Sequence, residues 1–170
     1  MIPIDYMETP WALPKRLTES VLMYLFAQMN TRLTVEAVRA GQTEMKRTLP
    51  GICWQATFGG QRRLDRNATP NGLFGLDIDH IEAPYTLWKT FEKRVDELDI
   101  VCVHQTPSGK GLRVVALCQP QFDSIAENQA WLAAKIGTTY DATCRDLARL
   151  YFVSVAEDLW YLDNDTLFGK

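Results

Sequence analysis

The sequence lacks the long apolar segments that membrane and exported proteins carry. No stretch approaches about 18 uninterrupted apolar residues, and residues 1–5 have neither a basic flank nor a long apolar region. The four cysteines lie far apart, without a CxxC pair or a cluster with histidine, which argues against a zinc site. We therefore expect a cytoplasmic protein with no membrane partner.

The sequence also lacks an excess of basic residues. The net charge is −3 and the isoelectric point is about 5.4, whereas proteins that bind nucleic acid normally carry a basic surface. Carboxylates that hold metal ions lower the net charge without describing the rest of the surface, however. The local distribution of charge therefore matters more than the sum.

The length and composition indicate one globular domain. The chain has 170 residues, of which 46% are hydrophobic and 11% aromatic, enough to bury a core without disulfides or structural metals. Three of the eight prolines fall within residues 1–17, which predicts an arm packed against the body by Tyr6 and Trp11. We predict a single domain over 1–170, with an N-terminal part at 1–70, a core at 71–156 and a tail at 157–170.

The order of apolar segments predicts an α+β fold. Before residue 71 the pattern indicates two helices, at 18–30 and from Thr34 to 40, and a strand at 52–58. From residue 71 onward the predicted elements follow the order β-α-β-β-α-β. This is the order of the ferredoxin-like fold, which is also used by RNA-recognition modules and polymerase palms. It predicts a four-stranded antiparallel sheet with both helices on one face, an open opposite face, and the first and third strands as central neighbours. The predicted strands are 73–79, 100–105, 111–118 and 150–155, and the predicted helices are 84–98 and 124–136.

Two carboxylates stand at the end of the first strand of this core. In an extended strand Asp77 and Asp79 share one face, while Leu76 and Ile78 face the other side, towards a core. Two adjacent carboxylates repel each other unless a cation lies between them, and a divalent metal is the usual one. The pair therefore predicts a metal site, although the same pattern also occurs as solvated residues where a strand becomes a turn.

A turn suited to phosphate joins the second and third strands. Residues 106–111 read Thr-Pro-Ser-Gly-Lys-Gly, so Ser108, Gly109 and Lys110 bring a hydroxyl, backbone amides and an ammonium into one tight turn, and Arg113 follows. The spacing is not that of a P-loop. The alternative interpretation is a plain hairpin turn with a solubilising lysine.

A third polar segment, 140–149, precedes the last predicted strand. Asp141 supplies a further carboxylate, and Asp146 is spaced to form a local ion pair with Arg149 that stiffens the loop. His80 directly follows the acidic strand and is expected in the outer part of the site. Because the first and third strands are expected to pair, metal ligands and phosphate donors should converge on the open sheet face.

Basic residues lie upstream of the acidic strand. A loop carries Arg62, Arg63 and Arg66 within five positions, and Lys46 precedes it. One interpretation is that the three arginines form a cluster whose charge complements the two predicted metal ligands. The other is a solvated polar loop.

In combination these motifs resemble the archaeo-eukaryotic primase superfamily, the primase-polymerases. The resemblance is strongest to the bacterial primase-like domains that precede a virulence-associated-E-type helicase in mobile elements. It spans about residues 73–154 and includes an Arg-Leu-x-Phe strand at 149–152. It implies nucleotidyl transfer from nucleoside triphosphates on a single-stranded DNA template, with two divalent ions, Mg²⁺ or Mn²⁺, on an RNA-recognition-like sheet.

The resemblance also implies a role for each motif. This chain departs from many members by having Arg113 where they have histidine, and arginine clamps phosphate but does not donate a proton near neutral pH. The implied contacts to template or primer phosphates are Lys46, Arg62 and Arg63, and a helicase domain or protein is a further implied partner. The implied metal ligands are Asp77, Asp79 and Asp141, the implied nucleotide-binding residues are Ser108, Gly109, Lys110 and Arg113, and the implied supporting residues are His80 and Arg149.

Other functions remain open on the sequence alone. A catalytically inactive module that binds single-stranded nucleic acid would use the same sheet, but such sheets usually present stacked aromatics on their central strands. Nucleotide-sugar transferases also hold a metal-diphosphate with Asp-x-Asp, although generally in a larger α/β domain. A structural or adaptor role is the third alternative.

Overall fold

A computed structural model of the chain describes residues 1–169. Within these residues the chain forms ten short strands and five α-helices, and none of the helices is long and apolar enough to cross a membrane. The strands are β1 (Asp5–Met7), β2 (Lys15–Arg16), β3 (Gly51–Cys53), β4 (Ala56–Thr57), β5 (Thr69–Pro70), β6 (Leu73–Ile78), β7 (Ile100–Gln105), β8 (Leu112–Leu117), β9 (Tyr151–Phe152) and β10 (Leu159–Leu162). The helices are α1 (Glu19–Ala27), α2 (Met29–Arg39), α3 (Pro84–Phe91), α4 (Ile125–Ile136) and α5 (Asn164–Phe168).

The larger strands form a four-stranded antiparallel sheet in the order β10-β7-β8-β6, which confirms the predicted α+β class. Asp77 on β6 lies opposite Arg113 on β8, and Arg113 lies opposite His104 on β7. Pairing of the first and third core strands was predicted, but β6 lies at the edge of the sheet and not at its centre. The register therefore produces one cross-strand row of three polar residues.

Both faces of this sheet are covered, so the predicted open face is wrong. Phe74, Leu76 and Ile78 pack on one side against apolar residues of α3 and α4, as the period-2 pattern predicts. Leu73, Cys102 and Val115 on the other side pack against Trp54, Tyr151 and Phe26. The covering layer comes from α1 and from a second antiparallel sheet of order β2-β1-β3-β9, whose positions depend on long-range pairing.

The last strand of the central sheet also differs from the prediction. The segment 150–155 contributes only β9, which pairs with β3 in the second sheet, and the Val153 amide continues this contact by donating to the Pro50 carbonyl at 3.0 Å. The fourth strand is instead β10, an apolar run within the segment predicted as a tail. Both segments are short and apolar, and only the pairing partner distinguishes their places.

Local signals predict some helix ends and miss others. The Thr18 hydroxyl accepts from the Val21 amide at 3.3 Å and begins α1, while Ser124 and the left-handed Gly137 bound α4 as predicted. The predicted start of the second helix at Thr34 is wrong, because α2 begins at Met29 after an extended break at Gln28. α3 ends at Phe91 and continues only as a 3-10 turn, short of the predicted 98.

Candidate functional site

The floor of the candidate site is a buried ion pair between β6 and β8. Arg113 Nε donates to Asp77 Oδ1 at 2.7 Å and Nη2 donates to Oδ2 at 2.9 Å. Arg113 is 3% exposed and Asp77 9%. Burial disfavours the charged guanidinium, but the Asp77 carboxylate outweighs this effect and raises the pKa of Arg113.

Two residues of the second sheet hold Arg113 from its other sides. Its Nη1 donates to the Phe152 carbonyl at 2.9 Å, and its guanidinium carbon lies 4.7 Å from the centroid of the Tyr151 ring. The Tyr151 hydroxyl in turn donates to Gln55 Oε1 at 2.7 Å. Arg113 is therefore engaged on every side by protein groups, which does not fit the predicted role of a free phosphate clamp.

Asp141 lies directly beside the strand that carries Asp77. Its amide donates to the Asp77 carbonyl at 2.8 Å, although the two residues are far apart in sequence. Its Oδ1 accepts from the amide and the hydroxyl of Thr143, at 2.9 and 2.6 Å, and these hydrogen bonds lower the pKa of Asp141. The third acid that the resemblance implies for the site therefore lies beside the acidic strand.

A cysteine lies between the two carboxylates. Cys144 Sγ is 3.3 Å from Asp141 Oδ2 and 3.7 Å from Asp77 Oδ2. Burial, followed by the charge of Asp77, raises the pKa of the Cys144 thiol to about 12, so the thiol stays protonated and donates. The sequence gave no reason to assign Cys144 to the site, because a single cysteine in a polar loop carries no spacing signal.

Asp79 follows the end of β6 and faces solvent. Together with His80, Thr139, Tyr140 and Asp141 it lines a cavity of about 330 Å³. Partial enclosure of its carboxylate, and then the charge of Asp77, raise the pKa of Asp79. His80 next to it has a positive φ of 59°, which turns the chain away from the strand.

The turn between β7 and β8 lies against the same strand end. The Ile81 amide donates to the Lys110 carbonyl at 2.9 Å, while the Lys110 amide donates to Ser108 Oγ at 3.2 Å. A Cβ on Gly111 would lie 2.6 Å from Thr106 Oγ1 and 3.2 Å from Asp79 Oδ1, so only glycine fits there without displacement. The phosphate-suited turn and the acidic strand are therefore neighbours, as predicted.

One residue of α2 fixes this turn from outside. Arg39 Nε donates to the Pro107 carbonyl at 3.2 Å, and its Nη2 donates to Asp158 Oδ2 at 2.6 Å. Gly109 has a positive φ of 73°, and a Cβ added there would lie 3.3 Å from Arg39 Nε. The sequence did not predict this contact, because a helical arginine gives no indication of which distant loop it reaches.

The three predicted basic residues separate in the structure. Lys46 lies near the acids, since its charge opposes the rise in the pKa of Asp79, and its ammonium is 5.9 Å from the Phe152 ring centroid. Arg63 is half-buried and donates to the Ala148 carbonyl. Arg62 is exposed and lines a cleft that contains none of the acids. Of these three residues, Lys46 is therefore the one that lies near the acids.

The supporting residues lie close to the places predicted for them. Arg149 forms the predicted ion pair with Asp146 at 2.8 Å and also donates to the Thr143 carbonyl at 2.8 Å, which braces the loop that carries Asp141. His104, in contrast, is buried against the Phe26 ring. Burial, and then the Arg113 charge, lower its pKa to about 3, so the ring is neutral.

The donor set of this site suits a hard cation in part. No group of three or more His, Cys, Asp or Glu within residues 1–169 is arranged as a ready metal site. Asp79 and Asp141 both line the cavity, and Mg²⁺ is commonly held by one or two carboxylates with water and phosphate oxygens completing its shell. Asp77 has only the lone pairs that Arg113 leaves unoccupied. Metal binding therefore stays a prediction, with Asp79 and Asp141 as the better placed ligands.

Comparisons with known proteins place the chain in a family. Searches of curated proteins and of solved structures found no match. A sequence model of the family described as "BT4734-like, N-terminal domain" matches residues 44–161, which is more than half of the chain and includes all three acids and the turn. The chain belongs to the BT4734-like N-terminal domain family.

Proposed function

We propose that this domain catalyses template-directed nucleotidyl transfer from nucleoside triphosphates, as the primase-polymerases do. One observation supports the proposal above the others. The amide of Asp141 donates a hydrogen bond to the Asp77 carbonyl. The Ser-Gly-Lys-Gly turn accepts a hydrogen bond from the amide of Ile81, which follows Asp79 and His80. Asp79 and Asp141, from two distant segments, thus line one cavity, and the turn that carries the phosphate donors is held against the same strand end. Phosphoryl transfer requires carboxylates and phosphate donors close together in this way.

In this proposal the carboxylates and the turn have separate tasks. Asp79 and Asp141 hold Mg²⁺ or Mn²⁺ at the cavity, and Ser108, Gly109 and Lys110 bind the triphosphate through hydroxyl, amide and ammonium donors. The bound ion would favour attack of the 3′-hydroxyl on the α-phosphate and neutralise the departing pyrophosphate. Lys46 adds a positive charge on the same side as Asp79.

Arg113 takes a different role from the one its sequence position suggests. Because it is bound by Asp77, the Phe152 carbonyl and the Tyr151 ring, it positions Asp77 and does not contact the nucleotide in the proposed arrangement. Asp77 then supplies negative charge behind Asp79 and Asp141. We further propose that the domain acts in the cytoplasm beside a helicase domain or protein, on single-stranded DNA.

The test is incorporation of labelled nucleotide by the purified chain. Wild-type protein is incubated with Mg²⁺ or Mn²⁺, deoxynucleotides or ribonucleotides, and a primed or bare single-stranded DNA template. We expect metal-dependent extension, and we expect the Asp79→Asn/Asp141→Asn double variant to lose at least about a hundredfold in rate, because the charge that holds the ion is gone.

A matched control is Asp123→Asn, which removes an exposed acid near the start of β6, at the opposite end of that strand. It should retain wild-type incorporation. Absence of incorporation by wild type under all metal and nucleotide combinations, together with absence of nucleotide binding in a titration, would rule out the proposal.

A second candidate is a catalytically inactive module that binds single-stranded nucleic acid. The Asp77–Arg113 pair favours it, because both Asp77 oxygens already have a cationic partner and need no metal. This candidate predicts oligonucleotide binding with no incorporation and no effect of Mn²⁺ on thermal stability. The enzyme predicts a Mn²⁺-dependent rise in melting temperature that the Asp79→Asn/Asp141→Asn variant lacks.

A further inference from the structure

An exposed tryptophan of the N-terminal arm, Trp11, lines the same cleft as Arg62. Trp11 is 78% exposed, so the prediction that it packs the arm against the body is wrong, whereas Tyr6 is buried as predicted. Trp11, Leu13, Arg62 and Leu64 line a cleft of about 470 Å³. An exposed indole presents a large flat face with which a ligand in this cleft is able to pack.

The charge around this cleft is positive. The Arg62 side chain forms no hydrogen bond or ion pair within residues 1–169, while Arg63 is turned inward and donates to the Ala148 carbonyl. The nearby acids are engaged: Asp65 accepts from the Ala148 amide at 2.9 Å, and Glu8 pairs with Lys15 at 3.0 Å. The surface that remains for a ligand is therefore aromatic, apolar and cationic.

One loop connects this cleft to the acidic cavity. Asp141 at the start of the loop is hydrogen-bonded to Asp77. Ala148 near the end of the loop is hydrogen-bonded to Asp65 and Arg63. Ala148 lies seven positions after Asp141 in the chain, a span of at most about 25 Å. A single strand of nucleic acid several nucleotides long is able to occupy both places at once.

We propose that Trp11 and Arg62 form a binding surface for single-stranded nucleic acid, with the indole stacked on a base and the guanidinium paired with a phosphate. An aromatic face beside an arginine without an ion-pair partner is the combination that binds such strands with little sequence preference. Tryptophan and arginine are also frequent at protein interfaces, but the uncompensated positive charge favours a polyanion. The role of this strand as template rests on the proposed function, whereas its binding does not.

Trp11 lies outside residues 44–161, the segment that the family model matches. The surface therefore combines a residue of the arm with a residue of the family domain. In this proposal the arm binds nucleic acid, whereas nucleotide binding at the acidic cavity does not need the arm.

The test measures binding of a fluorescein-labelled oligo-dT by anisotropy, at low salt with EDTA and without nucleotide. We expect Trp11→Ala to weaken binding about tenfold or more, Trp11→Phe to retain most of it, and Arg62→Ala to weaken it and reduce its salt dependence. The matched controls are Tyr24→Ala, which removes another exposed aromatic, and Lys93→Ala, which removes another exposed cation. Both should bind as wild type does.

Equal binding by Trp11→Ala and wild type, or an equal loss in Tyr24→Ala, would overturn the inference. Trp11→Phe keeps an aromatic ring that is able to stack on a base. A folding defect would appear in its circular dichroism spectrum, so loss of stacking and loss of folding are distinguished. If binding depends on Trp11 while wild type incorporates no nucleotide, the proposed function fails and this inference stands.

Discussion

Both oxygens of the Asp77 carboxylate accept hydrogen bonds from the Arg113 guanidinium, at 2.7 and 2.9 Å, in a pair that is almost sealed from solvent. The pair joins the edge strand β6 to β8 beneath the acidic cavity, and its contact with the Phe152 carbonyl joins β8 to β9. Breaking such a pair from one side leaves a buried charge without a partner, which costs more than the pair contributes.

Arg113→Met should therefore lower the free energy of unfolding by about 3–5 kcal/mol, measured by urea denaturation. Asp77→Leu/Arg113→Met should lose less than Arg113→Met alone, because no charge is left unpaired. Arg149→Ala, which breaks a half-exposed pair with Asp146, is the control and should cost about 1 kcal/mol or less. Similar losses in all three variants would show that Arg113 is not held as described.

Gly111→Ala should disturb the candidate site. The added Cβ would lie 2.6 Å from Thr106 Oγ1 and 3.2 Å from Asp79 Oδ1, so the turn and the carboxylate must shift. We expect a loss of about 1–3 kcal/mol in stability and a larger relative loss in nucleotide incorporation. Gly137→Ala is the control, because its Cβ meets nothing within 4 Å and only the positive φ of 80° is strained. If nucleotide incorporation falls in the same proportion to stability in both glycine variants, the placement of the turn beside Asp79 is contradicted.

Features with a local cause were predictable from the sequence. The alternation in 73–78 sends Leu76 and Ile78 to the core and Asp77 to the other face, and it needs no knowledge of the partner strand. Ser124 and Gly137 bound α4 through side-chain capping and a left-handed backbone, which are also local. The Asp146–Arg149 ion pair follows from a spacing of three.

Features that depend on long-range pairing were not predictable in the same way. The segment 150–155, predicted as the last core strand, joins the second sheet, whereas 159–162, predicted as part of a tail, completes the central one. The covering layer over Arg113 changes this residue from an exposed phosphate clamp into a buried partner of Asp77. Arg63 and Arg62 are adjacent in sequence, yet one is bound to the Ala148 carbonyl and the other faces solvent.

His104 should make the protein less stable in acid. Burial lowers its pKa to about 3 in the folded state, whereas an unfolded histidine has its ordinary pKa near 6.5. Between these values the unfolded chain binds a proton that the folded chain does not, so this contribution is complete above about pH 6.5 and declines as the pH falls. We expect a loss of about 1–2 kcal/mol between about pH 6.5 and 5 in urea titrations. His104→Phe, which keeps a ring against Phe26, should have a shallower pH dependence. An unchanged slope would show that the pKa of His104 is the same in the folded and unfolded states.

Lys46→Ala should weaken nucleotide binding and leave the chemical step largely intact. The ammonium lies in electrostatic range of Asp79, where it opposes the rise in the carboxyl pKa, and it has the Phe152 ring as its neighbour. A charge that binds phosphate equally in the ground and transition states raises KM without lowering kcat. Loss of one charge-assisted hydrogen bond corresponds to about a tenfold rise in KM for the triphosphate. Lys93→Ala, an exposed lysine after α3, should leave KM unchanged. A fall in kcat at constant KM would instead place Lys46 at the charge that develops during transfer, and no change in either would remove it from the site.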